Sequence, residues 1–425
     1  MNRRNVAFRI FFVVLACAGT MACSPNRLLR IYSPDATSST PAPSLAFKGL
    51  DRARPGDHVK VLLVHGIGQT VPEGADQNDI KVQIEESSYS VDLVQAMQKE
   101  LNLKPASCAG GAPSPPITHI DADEKDSGNY GFMRQEEFRS DTGTCYTFYT
   151  LFWATLTEPF KQVFLSYDWK DSEYRAHYNN LLKGGLLDHD IADAVVFSGK
   201  FKDHLNYTVE QALCLVENSQ ACNAKTTPGP RDKIFVISHS LGSRLVIDAI
   251  DAIDQLGTPE TPKFKDSLAG VFMLANQLPL LALSDQANSL PVTPPSPPAG
   301  ASPNRAAAET STPAVAAKTT PSGLMSLRHL ITRRKTPEPL QLVAFSDPND
   351  LLSYTIPADW KTLLGVETTG DDRSVSSINV LVRNHAINIG VFVNPLDAHV
   401  GYWNNPFVWK LIAHGSAGTS KSPLK

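Results

Sequence analysis

The chain lacks any excess of basic charge. It carries 39 lysines and arginines against 43 aspartates and glutamates, for a formal net charge of −4. Without a positive field there is no long-range attraction to a polyanion, so nucleic acid is not an expected partner. The apolar stretch Ile10 to Ala16 falls well short of the ~20 residues that a membrane-crossing helix needs. Cysteine is scarce, with six in 425 residues, and no Cys/His grouping has zinc-site spacing, so no metal is expected. Asp121, Asp123 and Asp126 form an acidic group, but Lys125 stands where a calcium loop needs an oxygen ligand. That stretch reads as a solvated loop.

What is present is a set of short, unbroken apolar runs that end in small or polar residues. Ile234 to Ile237 is one, and it suits a parallel strand buried on both faces. Beyond it, Leu241, Leu245, Val246, Ala249, Ile250 and Ile253 recur at helical spacing. The local order is strand, tight turn, helix, with Ser240 at the turn and its hydroxyl at the carboxyl end of the sheet. Such a turn brings backbone close to backbone, so the residues two before and two after the serine must be small. They are Ser238 and Gly242. The stretch resembles the nucleophile elbow of the α/β-hydrolases, G-x-S-x-G, with Ser238 in place of the first glycine.

A second run, Val59 to Val64, leads into His65-Gly66-Ile67-Gly68. In α/β-hydrolases a His-Gly pair after an early strand opens the oxyanion loop. The resemblance therefore implies backbone N–H donors from Ile67 and Leu241. Later runs at Leu268–Leu274, Leu340–Phe345 and Ile378–Val382 continue the sheet. Asp347 and Asp350 follow the second of these, and His399 lies in a loop after the last, followed by Val-Gly-Tyr-Trp. The order Ser, Asp, His is that of the superfamily. By resemblance, His399 is the general base, ahead of His385 and His414. Asp350 is the acid, with Asp347 as second choice, because an aspartate before proline often caps a turn instead.

The resemblance covers roughly residues 57–415. It implies an α/β-hydrolase fold, with a mostly parallel sheet flanked by helices. It implies a serine hydrolase cleaving carboxylic esters of small molecules or lipids through an acyl-enzyme, without a cofactor. An acyltransferase or amidase with the same three residues is an alternative, as is a non-catalytic binding protein on the same scaffold. Oligomeric state is not legible.

The first 23 residues read as a targeting signal: Arg3, Arg4 and Arg9, then the apolar stretch, then Gly19-Thr20-Met21-Ala22-Cys23. They resemble a bacterial lipoprotein signal, which implies lipidation at Cys23 and a membrane-anchored place in the cell envelope. Cys17, or plain secretory cleavage near Ala22, are the other processing sites. Residues 24–56 read as a flexible tether and 416–425 as a tail. Residues 284–323, almost wholly Pro, Ala, Ser and Thr, read as a disordered insertion. Helices are expected over Ser90–Leu101 and Asn206–Glu217, and Pro159–Gly199 reads as helical, as a cap over the site or as packing on the sheet. In an exported chain the four remaining cysteines suggest disulfides: Cys214 and Cys222, close in sequence, are a natural pair that leaves Cys108 with Cys145, and spacing alone does not fix this connectivity.

Overall fold

The computed structural model describes residues 21–34, 45–66, 88–108, 117–121, 129–157, 191–199, 201–218, 232–256, 266–281, 339–357, 375–389 and 393–417, with scattered positions between 159 and 187 and at 264 and 360. The strands are β1 (Met21–Ser24), β2 (Arg27–Tyr32), β3 (Ala46–Lys48), β4 (His58–Val64), β5 (Lys104–Pro105), β6 (Ile117–Asp121), β7 (Asn129–Arg139), β8 (Cys145–Phe152), β9 (Asp232–His239), β10 (Leu268–Leu274), β11 (Leu340–Ser346), β12 (Val375–Arg383), β13 (Ala386–Ile389) and β14 (Gly415–Ala417). The helices are α1 (Ser88–Glu100), α2 (Ala192–Ser198), α3 (Lys202–Asn218), α4 (Gly242–Leu256), α5 (Pro395–Val400) and α6 (Pro406–His414).

The five apolar runs of the sequence, joined by β8 with its alternating aromatic and small residues, form the parallel centre of a mixed ten-stranded sheet, in the order β12-β11-β10-β9-β4-β8. Every residue of β8 and of β11 is buried, as strands covered on both faces require. One face packs against α3 and α4 through Leu205, Val209, Leu245 and Ile250. The other packs against α1 and α6 through Leu93, Met97, Val408 and Ile412. Each such side chain, fully buried, contributes roughly 1.5–3 kcal/mol.

The edges are antiparallel. β2 lies against β12, and β7 lies against β8 and carries both β5 and β6. Two short pairings, β1 with β13 and β3 with β14, lie outside this sheet. Residues 24–56, expected as a tether, therefore supply a sheet strand, and Phe47 and Leu50 are core residues. The first two residues of the expected tail belong to β14. The long β7 went unforeseen because its Gln, Glu and Arg residues mask the alternation of a half-buried strand. Asp121 ends β6, while Asp123 and Asp126 lie outside the described residues, as do the expected insertion and most of the expected leader. Among the described residues no helix is long and apolar enough to cross a membrane.

Cys108 and Cys145 are disulfide-bonded, with Cα atoms 5.8 Å apart. The bond ties the segment after β5 to the start of β8. Cys214 is disulfide-bonded too, while its expected partner, Cys222, lies outside the described residues. Closing a loop of 37 residues removes freedom from the unfolded chain. Replacing Cys108 and Cys145 together by serine should therefore cost about 2–4 kcal/mol in urea unfolding. An unchanged midpoint would show that the bond adds nothing to the stability of the fold.

Candidate active site

All six parallel strands end at one edge of the sheet, and the polar residues that follow them converge there. The turn from β9 into α4 comes first. Ser240 holds φ at 55°, a left-handed conformation that costs a residue with a Cβ roughly 1–3 kcal/mol. Its N–H donates to Leu274 O at 2.8 Å, extending the ladder onto β10. Two glycines permit the turn. A Cβ on Gly66 would lie 2.5 Å from the Cβ of Ser240, and one on Gly242 would lie 2.7 Å from the carbonyl oxygens of Val64 and His65. Ser238, at the third position where space is short, is fully buried with its Oγ 3.4 Å from both Phe272 O and Ser243 Oγ. Its hydroxyl thus lies between β10 and α4, which is how serine fits there.

His399 comes from α5. Pro395 opens that helix, and the Asn394 side chain caps it by accepting from Leu396 N–H. His399 Nε2 is 3.1 Å from Ser240 Oγ. Its Nδ1 is 2.9 and 3.0 Å from the two carboxylate oxygens of Asp350. A carboxylate only accepts, so Nδ1 carries the proton and the Nε2 lone pair faces the hydroxyl. Ser240, His399 and Asp350 are 0%, 1% and 4% exposed, so water competes little for these bonds. The first turn of α4 begins at the residue after Leu241, so the Leu241 N–H points from the positive end of a helix. Ile67, expected as the second donor, lies outside the described residues.

The two aspartates have separate surroundings. Asp350 also accepts from Leu352 N–H at 3.0 Å and from the Tyr402 hydroxyl at 3.1 Å. Asp347 is bonded to other groups. It accepts from Asn384 N–H at 2.6 Å, and from the N–H and side-chain amide of Asn349 at 2.8 and 3.0 Å. It therefore caps its own turn and ties it to the end of β12. Burial raises its pKa, against the hydrogen bonds from Asn384 and Asn349. His385 is exposed just after β12, and His414 sits at the far end of α6 on Asp51, so neither reaches the serine.

Three supporting residues escaped the sequence reading. Tyr402 accepts from Asp347 N–H at 2.6 Å while donating to Asp350, and so links the two aspartates. His239 donates from Nε2 to the backbone oxygen of His399 at 2.9 Å, and its ring lies 5.0 Å from that of His399. Asn384 donates to Ala398 O at 2.6 Å. The signals for them were weak: a tyrosine three residues after His399, and a histidine beside the turn serine. His65 stacks on Trp153 at 4.9 Å between ring centres. Burial pushes its pKa down to about 3 and holds that of His239 well below the ordinary value, the latter helped by the nearby His399. Both rings are therefore neutral.

Among the described residues, one group has its ligand atoms close enough for a metal: His58, Cys108 and Cys145, within 4.8 Å of one another. Both sulfurs are engaged in the disulfide. No protein-family model matches the chain, and no curated protein or solved structure matches it either.

Asp347→Asn should lower stability by about 1–3 kcal/mol, because an amide NH2 would face backbone N–H groups that now donate to a carboxylate. Thermal and urea unfolding would measure this, and unchanged unfolding would show that Asp347 does not hold the turn.

Proposed function

We propose that the chain is a serine hydrolase of the α/β-hydrolase type that cleaves carboxylic esters. The observation that carries this reading is the continuous line from Asp350 through His399 to Ser240, with the serine in a left-handed turn. A mixed α/β sheet with the residues at the carboxyl ends of its strands is compatible with it.

The chemistry follows from the proton positions. His399 Nε2 takes the Ser240 proton as Oγ attacks the ester carbonyl. The carbonyl π pair moves to oxygen, and the Leu241 N–H stabilises that oxyanion; one such donor is typically worth a factor of ~10²–10³ in turnover. The tetrahedral adduct collapses, the C–O bond to the alcohol breaks, and the histidinium returns its proton to the leaving alkoxide. Water, deprotonated by the same nitrogen, then attacks the acyl-enzyme and releases the acid. Asp350 keeps the His399 proton on Nδ1 and balances the positive charge, while Tyr402 and Leu352 N–H hold the carboxylate in place. His239 and His65, neutral through burial, do not compete for the proton. The N-terminal sequence favours an exported, envelope-located protein, anchored through Cys23.

Ser240→Ala should abolish labelling by a fluorophosphonate probe and reduce ester turnover by about 10⁶. Asp350→Asn should cost on the order of 10⁴ with the fold intact, because an amide would accept the Nδ1 proton poorly and let the wrong tautomer form. Hydrolysis of p-nitrophenyl butyrate, followed with each purified variant, measures both effects. Wild-type turnover by Ser240→Ala would end the proposal.

A further inference from the structure

The described residues include ten exposed large apolar side chains, and all ten belong to segments that leave the carboxyl ends of the parallel strands. Leu351 (63%) follows Asp350, and Val400 (46%) follows His399. Tyr354 is bonded through its N–H to Asn276 O, at the end of β10. Val163 (66%), Phe164 (75%) and Val195 (65%) lie in the connection from β8 to α3. That connection starts and finishes at the same edge, since the far end of α3 reaches the other one: Glu217 O accepts from Lys60 Nζ near the start of β4. Exposed apolar side chains grouped at the edge that carries Ser240 and His399 suit contact with an apolar partner.

The N-terminus points to which partner. β2 runs antiparallel to β12, and Arg27, near its start, pairs with Arg383 at the carboxyl end of β12. Asn26 accepts from His385 N–H and donates to Asn404 O. Before it, β1 lies along β13, with Cys23 opposite Ile387. Residues 21–26 thus run along the same edge as Ser240, beside the segment that carries His399. Cleavage before Cys23 would keep the Cys23–Ile387 and Ser24–Ala386 pairs. The sequence upstream holds the apolar stretch Ile10 to Ala16. A lipid on Cys23, or that stretch itself, would therefore join the membrane at the edge where the apolar side chains are exposed. Arg27 and Arg383 share a face of the sheet there and suit phosphate headgroups.

We propose that this face is a bilayer-docking surface, oriented by the N-terminal segment, so that Ser240 opens toward acyl esters lying in that bilayer. The docking stands on the placement above, while the substrate class rests on the serine-hydrolase reading. The two are tested separately, using the full chain with vesicles of phosphatidylcholine and phosphatidylglycerol. Amide hydrogen exchange with and without vesicles reads orientation. Slowed exchange is expected over 351–354 and 400–407, and none at the β7–β8 turn, 140–144, on the opposite edge. Equal protection at both edges, or protection of the turn alone, overturns the docking whatever the activity. Hydrolysis of diacylglycerol carried in the vesicles is then compared with that of soluble p-nitrophenyl butyrate. Val163→Asp with Phe164→Asp should lower the first at least tenfold and leave the second unchanged. Val195→Asp, on a separate element, repeats the comparison. Equal rates on diacylglycerol for wild type and both variants refute the membrane substrate. If wild type hydrolyses neither ester but is protected at 351–354 and 400–407, docking stands and the hydrolase reading falls.

Discussion

The close approach of two strand ends governs the site. β4 and β9 are neighbours, and the turn leaving β9 must pass over the residues leaving β4 with no side chain between them. Gly66 and Gly242 supply that clearance, and either would overlap its neighbours if it carried a Cβ. The contact fixes the turn tightly enough to hold Ser240 left-handed, a conformation it would not adopt alone. The strain is offset by the buried apolar strands on both sides, which leave the chain no alternative path. Everything else at the site is measured from this serine, because the turn fixes where its Cβ stands.

The histidine needs a different kind of support. It sits on a helix too short to be stable by itself, so its position depends on contacts from outside that helix. Asn384 holds the carbonyl of Ala398, and His239 holds that of His399. Gly401 lets the chain pass close over Asn384, where a Cβ would come within 2.7 Å of the asparagine Cβ. Tyr402 then returns to the loop of the two aspartates and bonds both. A buried carboxylate is costly unless its lone pairs are met, and here Asp350 has three donors while Asp347 has its own set. The two aspartates differ in what their donors are: backbone and amide groups around Asp347, the histidine among those around Asp350.

These relations explain which parts were legible in the sequence. Five of the six parallel strands hold a largely apolar run, and α4 shows a helical period, so local pattern was enough for them. The order of Ser240, Asp350 and His399 was readable because each follows such a run. The two antiparallel edges were less visible. β2 sits in a segment whose composition resembles a tether, and β7 carries four charges in its second half, at Arg134, Glu136, Glu137 and Arg139. Tyr402, His239 and Asn384 could not have been assigned, since their roles depend on partners 14 to 160 positions away in the chain.

The burial of the three central residues and the exposure around them bear on each other. A water-soluble ester would gain little from an apolar rim, and such a rim in water carries a free-energy cost that folding does not recover. Covering it with lipid removes that cost. It would also lower the dielectric around Asp350 and His399, which are already almost fully buried. Electrostatic stabilisation by the carboxylate and the helix-end N–H would then be stronger than in water. With the docked face proposed above, the apolar rim and the buried polar line would belong to one design. A lipid-covered rim would keep solvent from Ser240, and the line, with its lone pairs met, would tolerate solvent's absence.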